Sequence, residues 1–164
     1  MLAAAGACLP RAHGPAPAAS GVPFPLYPMS LVFVGPGEAG EPVGALLPDG
    51  SIVHKREGIV ARLLPDRVVA PDGRPIVVVA PNGDVLLDPK LPPMRFDARD
   101  ALVSTRGEAV FVDDAGTPSW NEGGVRGASP AMPVRFTPFT PAARRTAEVL
   151  FMILLEAAWR KGLT

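Results

Sequence analysis

Acid–base chemistry in this chain would depend on one histidine and a small set of aspartates and serines. His54 is the histidine that falls inside the predicted fold. Paired with Asp113 or Asp114, and with Ser51 or Ser104 as nucleophile, it would supply the base of a hydrolase. No Gly-x-Ser-x-Gly elbow surrounds either serine, and two cations follow the histidine directly. We therefore predict a surface histidine on an open strand end, far from both aspartates, and no catalytic residue.

The other acidic residues offer a weaker set of sites. Asp97 and Asp100, with the aspartates named above, could form a carboxylate pair of the glycosidase type. Asp49 and Asp72 each precede a glycine, and this order is best explained by turn formation. No stretch has the alternating oxygen ligands of a calcium loop, and a single cysteine cannot build a cysteine zinc site or an internal disulfide. We predict neither a cofactor nor a metal site.

Composition bounds the class of protein. The chain has 164 residues, which favours one domain with appended segments. Its 16 basic and 16 acidic residues balance, and no basic tract of the kind that follows phosphates is present. The sequence therefore predicts no nucleic-acid partner. The 21 prolines and 17 glycines indicate that part of the chain does not fold.

The first residues carry a candidate site for lipidation. Leu2 and then only small residues, Ala3 to Ala7, precede Cys8. This stretch resembles the end of a bacterial lipoprotein signal, in which small side chains let a peptidase bind the extended backbone before a cysteine that is lipidated. The charged region and most of the apolar region of such a signal are missing. The resemblance implies a lipid on Cys8 as the only membrane contact and a place in the bacterial cell envelope. The alternative is a disordered alanine-rich start and a cytoplasmic location.

Residues 1–28 are predicted to form a disordered tether that begins with this lipoprotein-like stretch. Prolines recur among Ala, Gly and Ser, and few large apolar side chains are present to offset the entropy of ordering. Val22, Phe24, Leu26 and Tyr27, in the later half, could lie along the surface of the folded domain.

Residues 29–139 are predicted to be a β-rich domain. Apolar runs alternate with Asp-Gly and Asn-Gly pairs, a strong hairpin signal. The turn signals come at short intervals, which favours an antiparallel meander or small barrel-like roll of hairpin repeats over βαβ units. Residues 118–133 lack periodicity and are predicted to be a loop. The predicted strands are Leu31–Val34, Val43–Leu47, Ser51–His54, Ile59–Leu63, Arg67–Ala70, Ile76–Ala80, Asp84–Asp88, Ala101–Ser104 and Glu108–Asp113, with similar strand starts at Met94–Phe96 and Val134–Phe136.

Residues 140–164 are predicted to form one apolar helix. Thr140 is a plausible N-cap and Pro141 suits the first helical position. The apolar run Val149–Leu155 is about 10 Å long as a helix, against the ~30 Å of a bilayer core, so no transmembrane span is expected. Such a helix packs on its own sheet or on a partner. The residues proposed for docking on a partner are Leu150, Phe151, Ile153, Leu154 and Trp159.

The strand and turn pattern resembles uncharacterised repeat-bearing envelope lipoproteins of GC-rich bacteria, a resemblance that implies no activity. With no catalytic set in view, the sequence favours a non-enzymatic binding or structural module, anchored to the cell envelope through Cys8. One alternative is a subunit of an oligomeric assembly that docks through the C-terminal helix, with a protein partner or a second copy of the chain. A hydrolase of unknown substrate is the other.

Overall fold

A computed structural model describes residues 22–37, 39–87, 92–121 and 133–160, with only the backbone described for 156–160. This part of the chain is one antiparallel sheet of twelve strands followed by a helix. The predicted mainly β class with one C-terminal helix is confirmed. The strands are β1 Met29–Phe33, β2 Pro42–Leu46, β3 Ser51–His54, β4 Gly58–Leu64, β5 Arg67–Val69, β6 Pro75–Val79, β7 Val85–Leu86, β8 Met94–Phe96, β9 Leu102–Ser104, β10 Ala109–Val112, β11 Pro118–Asn121 and β12 Val134–Thr137.

The sheet curls into a nearly closed barrel. From β1 to β11 each strand pairs with its neighbours in sequence, and β12 returns to pair with β1. This return brings β12 beside β11, the other edge of the sheet. The Phe136 N–H donates to the Gly116 carbonyl across this gap at 2.8 Å. Closing the edges in this way protects strand groups that would otherwise be free to pair with another chain.

One turn geometry joins many of the strands. Each turn has five residues, and the carbonyl of the first accepts a hydrogen bond from the N–H of the fourth. The N–H of the first residue donates to the carbonyl of the fifth. The fourth residue has a positive φ, which explains the Asp-Gly and Asn-Gly pairs seen in the sequence. In one turn this residue is Asp100 instead of glycine, with φ 61°. The turns of this kind span residues 47–51, 70–74, 80–84, 97–101, 104–108 and 113–117.

The barrel has two distinct ends, because consecutive turns of an antiparallel meander alternate between opposite edges of the sheet. We call the end at which the helix begins the entry end and the other the far end. The entry end carries the turns at 47–50, 65–66, 80–84, 97–101 and 113–117. The far end carries the turns at 55–57, 70–74 and 105–108.

The helix α1, Arg144–Arg160, lies inside the barrel. A 3-10 turn, Pro141–Ala143, leads into it, and Thr140 precedes the turn as predicted. The Thr140 side chain makes no capping hydrogen bond, so only its position was predicted correctly. All six residues from 146 to 151 are buried. Six consecutive helical residues cover every face, so α1 is surrounded by the rest of the chain and does not rest on one side of a sheet.

α1 lies very close to the barrel wall at Gly44 on β2. A Cβ atom built on Gly44 would lie 2.6 Å from Leu154 Cδ2 and 2.6 Å from the Val53 carbonyl oxygen on β3. The leucine could move, but the carbonyl belongs to a paired strand. Glycine is therefore required here by space rather than by backbone conformation.

We expect Gly44→Ala to destabilise the protein by about 2 kcal/mol, because the added methyl group overpacks a contact that includes backbone. Urea unfolding followed by circular dichroism measures the loss. Ala45→Ser, at the next and outward-facing position, is the matched control and should be close to neutral. Equal stability of the two variants would contradict the close approach of α1 to β2.

The segment before β1 is part of the fold. Phe24 is 1% exposed, its N–H donates to the Pro65 carbonyl at 3.1 Å, and its ring meets Phe96 edge-on at 6.5 Å. The prediction of a disordered tether through residue 28 is therefore wrong for 22–28, because the ring of Phe24 fills the core at the entry end. Val22, Leu26 and Tyr27 stay exposed, as predicted. Residues 1–21, including Cys8, lie outside the described residues.

The predicted loop at 118–133 is wrong at its start. Pro118–Asn121 forms β11, paired along its length with β10. Trp120 lies opposite the fully buried Val110, and its ring packs against the core. The two predicted strand starts, by contrast, are strands β8 and β12.

Candidate functional site

The aspartates nominated for catalysis lie in turns that they stabilise. The Asp113 carboxylate accepts hydrogen bonds from the N–H groups of Ala115 at 2.9 Å and Thr117 at 2.8 Å. The Asp97 carboxylate accepts from Arg99 at 2.8 Å and Ala101 at 3.0 Å. These are bonds of Asx turns, so both carboxylates serve the turn geometry described above.

His54 is buried, with 5% of its surface exposed, so the predicted surface position is wrong. It lies on the same face of β3 as the core residue Ile52, because side chains two positions apart share a face. Its Nδ1 accepts the Arg56 N–H at 3.3 Å within the β3–β4 turn. That turn is at the far end, whereas Asp113 and Asp114 are at the entry end. The predicted separation of the histidine from these aspartates is thus confirmed.

The two candidate serines are also engaged in turns. Ser104 Oγ accepts from the N–H groups of Arg106 at 3.1 Å and Glu108 at 3.2 Å. Ser51 Oγ lies 3.0 Å from Asp49 Oδ2, to which it donates. Neither bond is to a histidine, and the structure does not assemble the nucleophile and base of a hydrolase from these residues.

The chain brings a different set of charges together where α1 enters the barrel. We call it the entry cluster, and its members are Asp100, Asp114, Arg144, Arg145 and Glu148. Arg145 Nε donates to Asp100 Oδ1 at 2.8 Å, and Arg144 Nη2 donates to Asp114 Oδ1. The guanidinium groups also lie over aromatic rings, that of Arg144 at 5.2 Å from Phe111 and that of Arg145 at 5.0 Å from Phe96.

Two arginines in the first turn of a helix oppose the helix dipole, which favours negative charge at that end. Here the negative charge comes from outside the helix, from Asp100 and Asp114 on two turns of the barrel. Arg144 Nε donates in addition to the Val112 carbonyl on β10 at 2.8 Å. The arginines therefore fasten the start of α1 to the turns that follow β8 and β10.

Within the entry cluster, Asp100 has an unusual backbone conformation, because its φ is positive. In the other five turns of its kind glycine occupies the position, and a side chain there costs on the order of 1 kcal/mol of strain. Aspartate tolerates this conformation better than most residues. Its carboxylate is the partner of Arg145, which is a physical reason for a side chain in this place.

Glu148 is the most deeply buried charge-bearing residue of the cluster, at 0% exposure. Its Oε2 accepts the Leu102 N–H on β9 at 3.0 Å, and its Oε1 accepts the Val112 N–H on β10 at 3.2 Å. Burial raises the pKa of Glu148 to about 8, although both hydrogen bonds and the nearby Arg144 favour the ionised form.

A buried carboxyl group with a raised pKa is often a catalytic acid or base. In Glu148, however, both oxygens bind backbone N–H groups of the barrel wall, and its side chain lies where solvent does not reach it. The two bonds join α1 to two neighbouring strands of the wall. The arrangement therefore fixes α1 in register with the wall.

A depression of about 410 Å³ lies on the outside of the barrel. It lies across β8 and β9, between Asp97 and Thr105. Its central charges pair with each other, since Arg95 Nε donates to Asp84 Oδ1 at 3.0 Å. That arginine holds the pKa of Asp84 below its ordinary value. These charges satisfy one another and do not converge on a bound group.

The predicted partner-docking residues of the helix are buried in the chain itself. Leu150, Phe151, Ile153 and Leu154 are each 7% exposed or less and belong to the core of the barrel. The helix therefore packs in cis, one of the two arrangements that the sequence left open. The fifth candidate, Trp159, falls outside the residues whose side chains are described.

Within the described ranges, no group of three or more His, Cys, Asp or Glu side chains is placed to hold a metal ion. No helix in the same ranges is long and apolar enough to cross a bilayer. Comparison with known proteins gives no match to a family model, to a curated protein or to a solved structure.

Proposed function

We propose that this protein is a non-enzymatic binding or structural module, held at the bacterial cell envelope by a lipid on Cys8. The observation that carries the proposal is that the interior of the barrel is already occupied. The protein's own helix fills it, and the entry cluster fastens that helix to the wall. The outside of the barrel is then the surface through which the protein would bind another molecule.

The candidate catalytic side chains support the same proposal. Asp97, Asp113 and Ser104 each accept two backbone N–H groups of their own turns. His54 accepts one such N–H and is buried. Each of these residues has a structural role that accounts for its presence. A hydrolase would have to break these bonds and move His54 across the length of the barrel.

The sequence before the barrel supports attachment. Thirteen residues, 9–21, separate Cys8 from Val22, the first described residue. In a polyproline II conformation they reach at most about 40 Å. This length is enough to hold the barrel near a membrane while leaving the outside free to bind another molecule.

The test is metabolic labelling of the protein in a bacterial host with an alkyne fatty acid, using the gene together with the codons that precede Met1. We expect the label in the membrane fraction, and we expect Cys8→Ser to abolish it while the barrel still folds. A mature protein that keeps Ala7 and carries no lipid would refute attachment through Cys8.

A further inference from the structure

The exposed apolar side chains of this protein are concentrated at one end of the barrel. Eight large apolar residues are exposed within the described ranges, and five of them lie at the entry end. Single exposed apolar residues are common on protein surfaces. The informative observation is that five of them lie at the same end of the barrel. We call these five residues the rim patch: Val22, Leu26, Tyr27, Leu47 and Leu64.

Backbone contacts connect the segments that carry the rim patch. The Phe24 N–H donates to the Pro65 carbonyl at 3.1 Å, which holds the segment before β1 against the residue that follows Leu64. The Leu63 N–H donates to the Gly50 carbonyl at 2.7 Å, and the Gly50 N–H donates to Leu47 at 2.9 Å. These bonds place the segment before β1, the turn after β2 and the end of β4 next to one another at the entry end.

The charges beside the rim patch cancel. Asp66 pairs with Arg67 at 2.8 Å, and Asp49 lies 4.0 Å from Arg62. Each of these acidic side chains near the patch thus has a basic partner. Such a surface gains little from anionic headgroups, whose attraction depends on excess basic residues.

The segment that connects Cys8 to the barrel joins it at this same patch, since Val22 is both the first described residue and one of the patch's members. We propose that the rim patch rests on the interface of a lipid bilayer, with Leu26 and Tyr27 inserted among the acyl chains. The inference rests on the proposed anchor at Cys8. An anchored barrel meets the bilayer at a high effective concentration, so a small apolar surface is sufficient for contact.

The experiment supplies the anchor chemically. Cys8 is the single cysteine of the chain, so the full-length protein can be coupled through its thiol to vesicles that contain a maleimide lipid. Tyr27→Trp adds a fluorophore to the patch, and the emission of the two native tryptophans, measured on the coupled parent protein, is subtracted. Ile59→Trp is the matched control, because Ile59 is 59% exposed beside the far-end turn at 55–57.

We expect brominated acyl chains to reduce the added emission of Tyr27→Trp by roughly twofold and to leave that of Ile59→Trp unchanged. The quenching should not depend on the fraction of anionic lipid, and adding Leu26→Asp or Leu64→Asp should abolish it in a folded protein. Equal quenching at the two positions, or quenching at neither, would overturn the inference. So would a concentration-dependent dimer that buries position 27 without quenching, because a second copy would then occupy the patch.

The two proposals fail separately in these experiments. If the natural protein carries no lipid on Cys8, the anchoring proposal fails, and the vesicle result still measures the affinity of the patch for a bilayer. If Cys8 is lipidated but the coupled Tyr27→Trp protein shows no quenching, the patch does not contact the membrane and the anchor stands alone.

Discussion

Leu154→Asp is expected to unfold the protein. Leu154 is 1% exposed and packs inside the barrel against β2, near Gly44. Removing a buried leucine side chain costs about 2–5 kcal/mol. Burying an unpaired carboxylate in its place adds several kcal/mol more. The sum is comparable with the whole stability of a typical domain, about 5–15 kcal/mol.

Circular dichroism and urea titration of Leu154→Asp measure the effect. Leu86→Asp is a suitable control, because Leu86 is 43% exposed on β7, and this variant should fold. The experiment also separates packing in cis from packing in trans. If the wild-type protein is an oligomer and Leu154→Asp gives a stable folded monomer, the helix belongs to an interface between chains, and its position inside its own barrel is contradicted.

Strand positions could be predicted from the sequence because they depend on local signals. The Asp-Gly and Asn-Gly pairs mark positions where the chain must adopt a positive φ. The apolar runs before, between and after these pairs form β2 to β7, with small shifts at the strand ends. β11 was missed because its sequence, Pro118–Asn121, contains one apolar ring among polar residues. It is a strand because β10 provides a partner, which no local pattern reveals.

The position of the helix could be predicted only in part. The run Val149–Leu155 indicates burial, and a helix that is apolar on all sides is one that protein surrounds. It was instead expected to cover a sheet, because the closure of the barrel depends on β12 returning to β1 from about a hundred residues away in sequence.

The entry cluster could not be derived from the sequence at all. Glu148 directly precedes the apolar run Val149–Leu155, where a charged residue gives no sign of burial. Its two partners are backbone groups of Leu102 and Val112, which lie 46 and 36 residues earlier. No sequence pattern reveals which backbone N–H group a distant side chain will bind. Only the folded barrel shows that the Glu148 carboxyl group binds the helix to the wall.

The buried carboxyl of Glu148 should make stability depend on pH in an unusual direction. Its folded-state pKa is about 8, above the ordinary value of 4.5, because burial disfavours its charge. Between these values the folded protein binds more protons than the unfolded chain. The contribution of Glu148 is then fully present below pH 4.5 and is lost as pH rises through 8.

Glu148→Gln isolates this contribution. The amide is uncharged, but it cannot accept both the Leu102 and the Val112 N–H, so the variant should be less stable than wild type at low pH. As pH rises from 4.5 to 8.5, we expect the advantage of wild type to shrink by on the order of 4 kcal/mol. Urea unfolding of both proteins at matched pH values measures the difference, and contributions from the rest of the chain cancel because both proteins share them. Parallel stability curves across this range would show that the carboxylate stays ionised inside the barrel, with its two N–H donors and Arg144 outweighing the cost of burial.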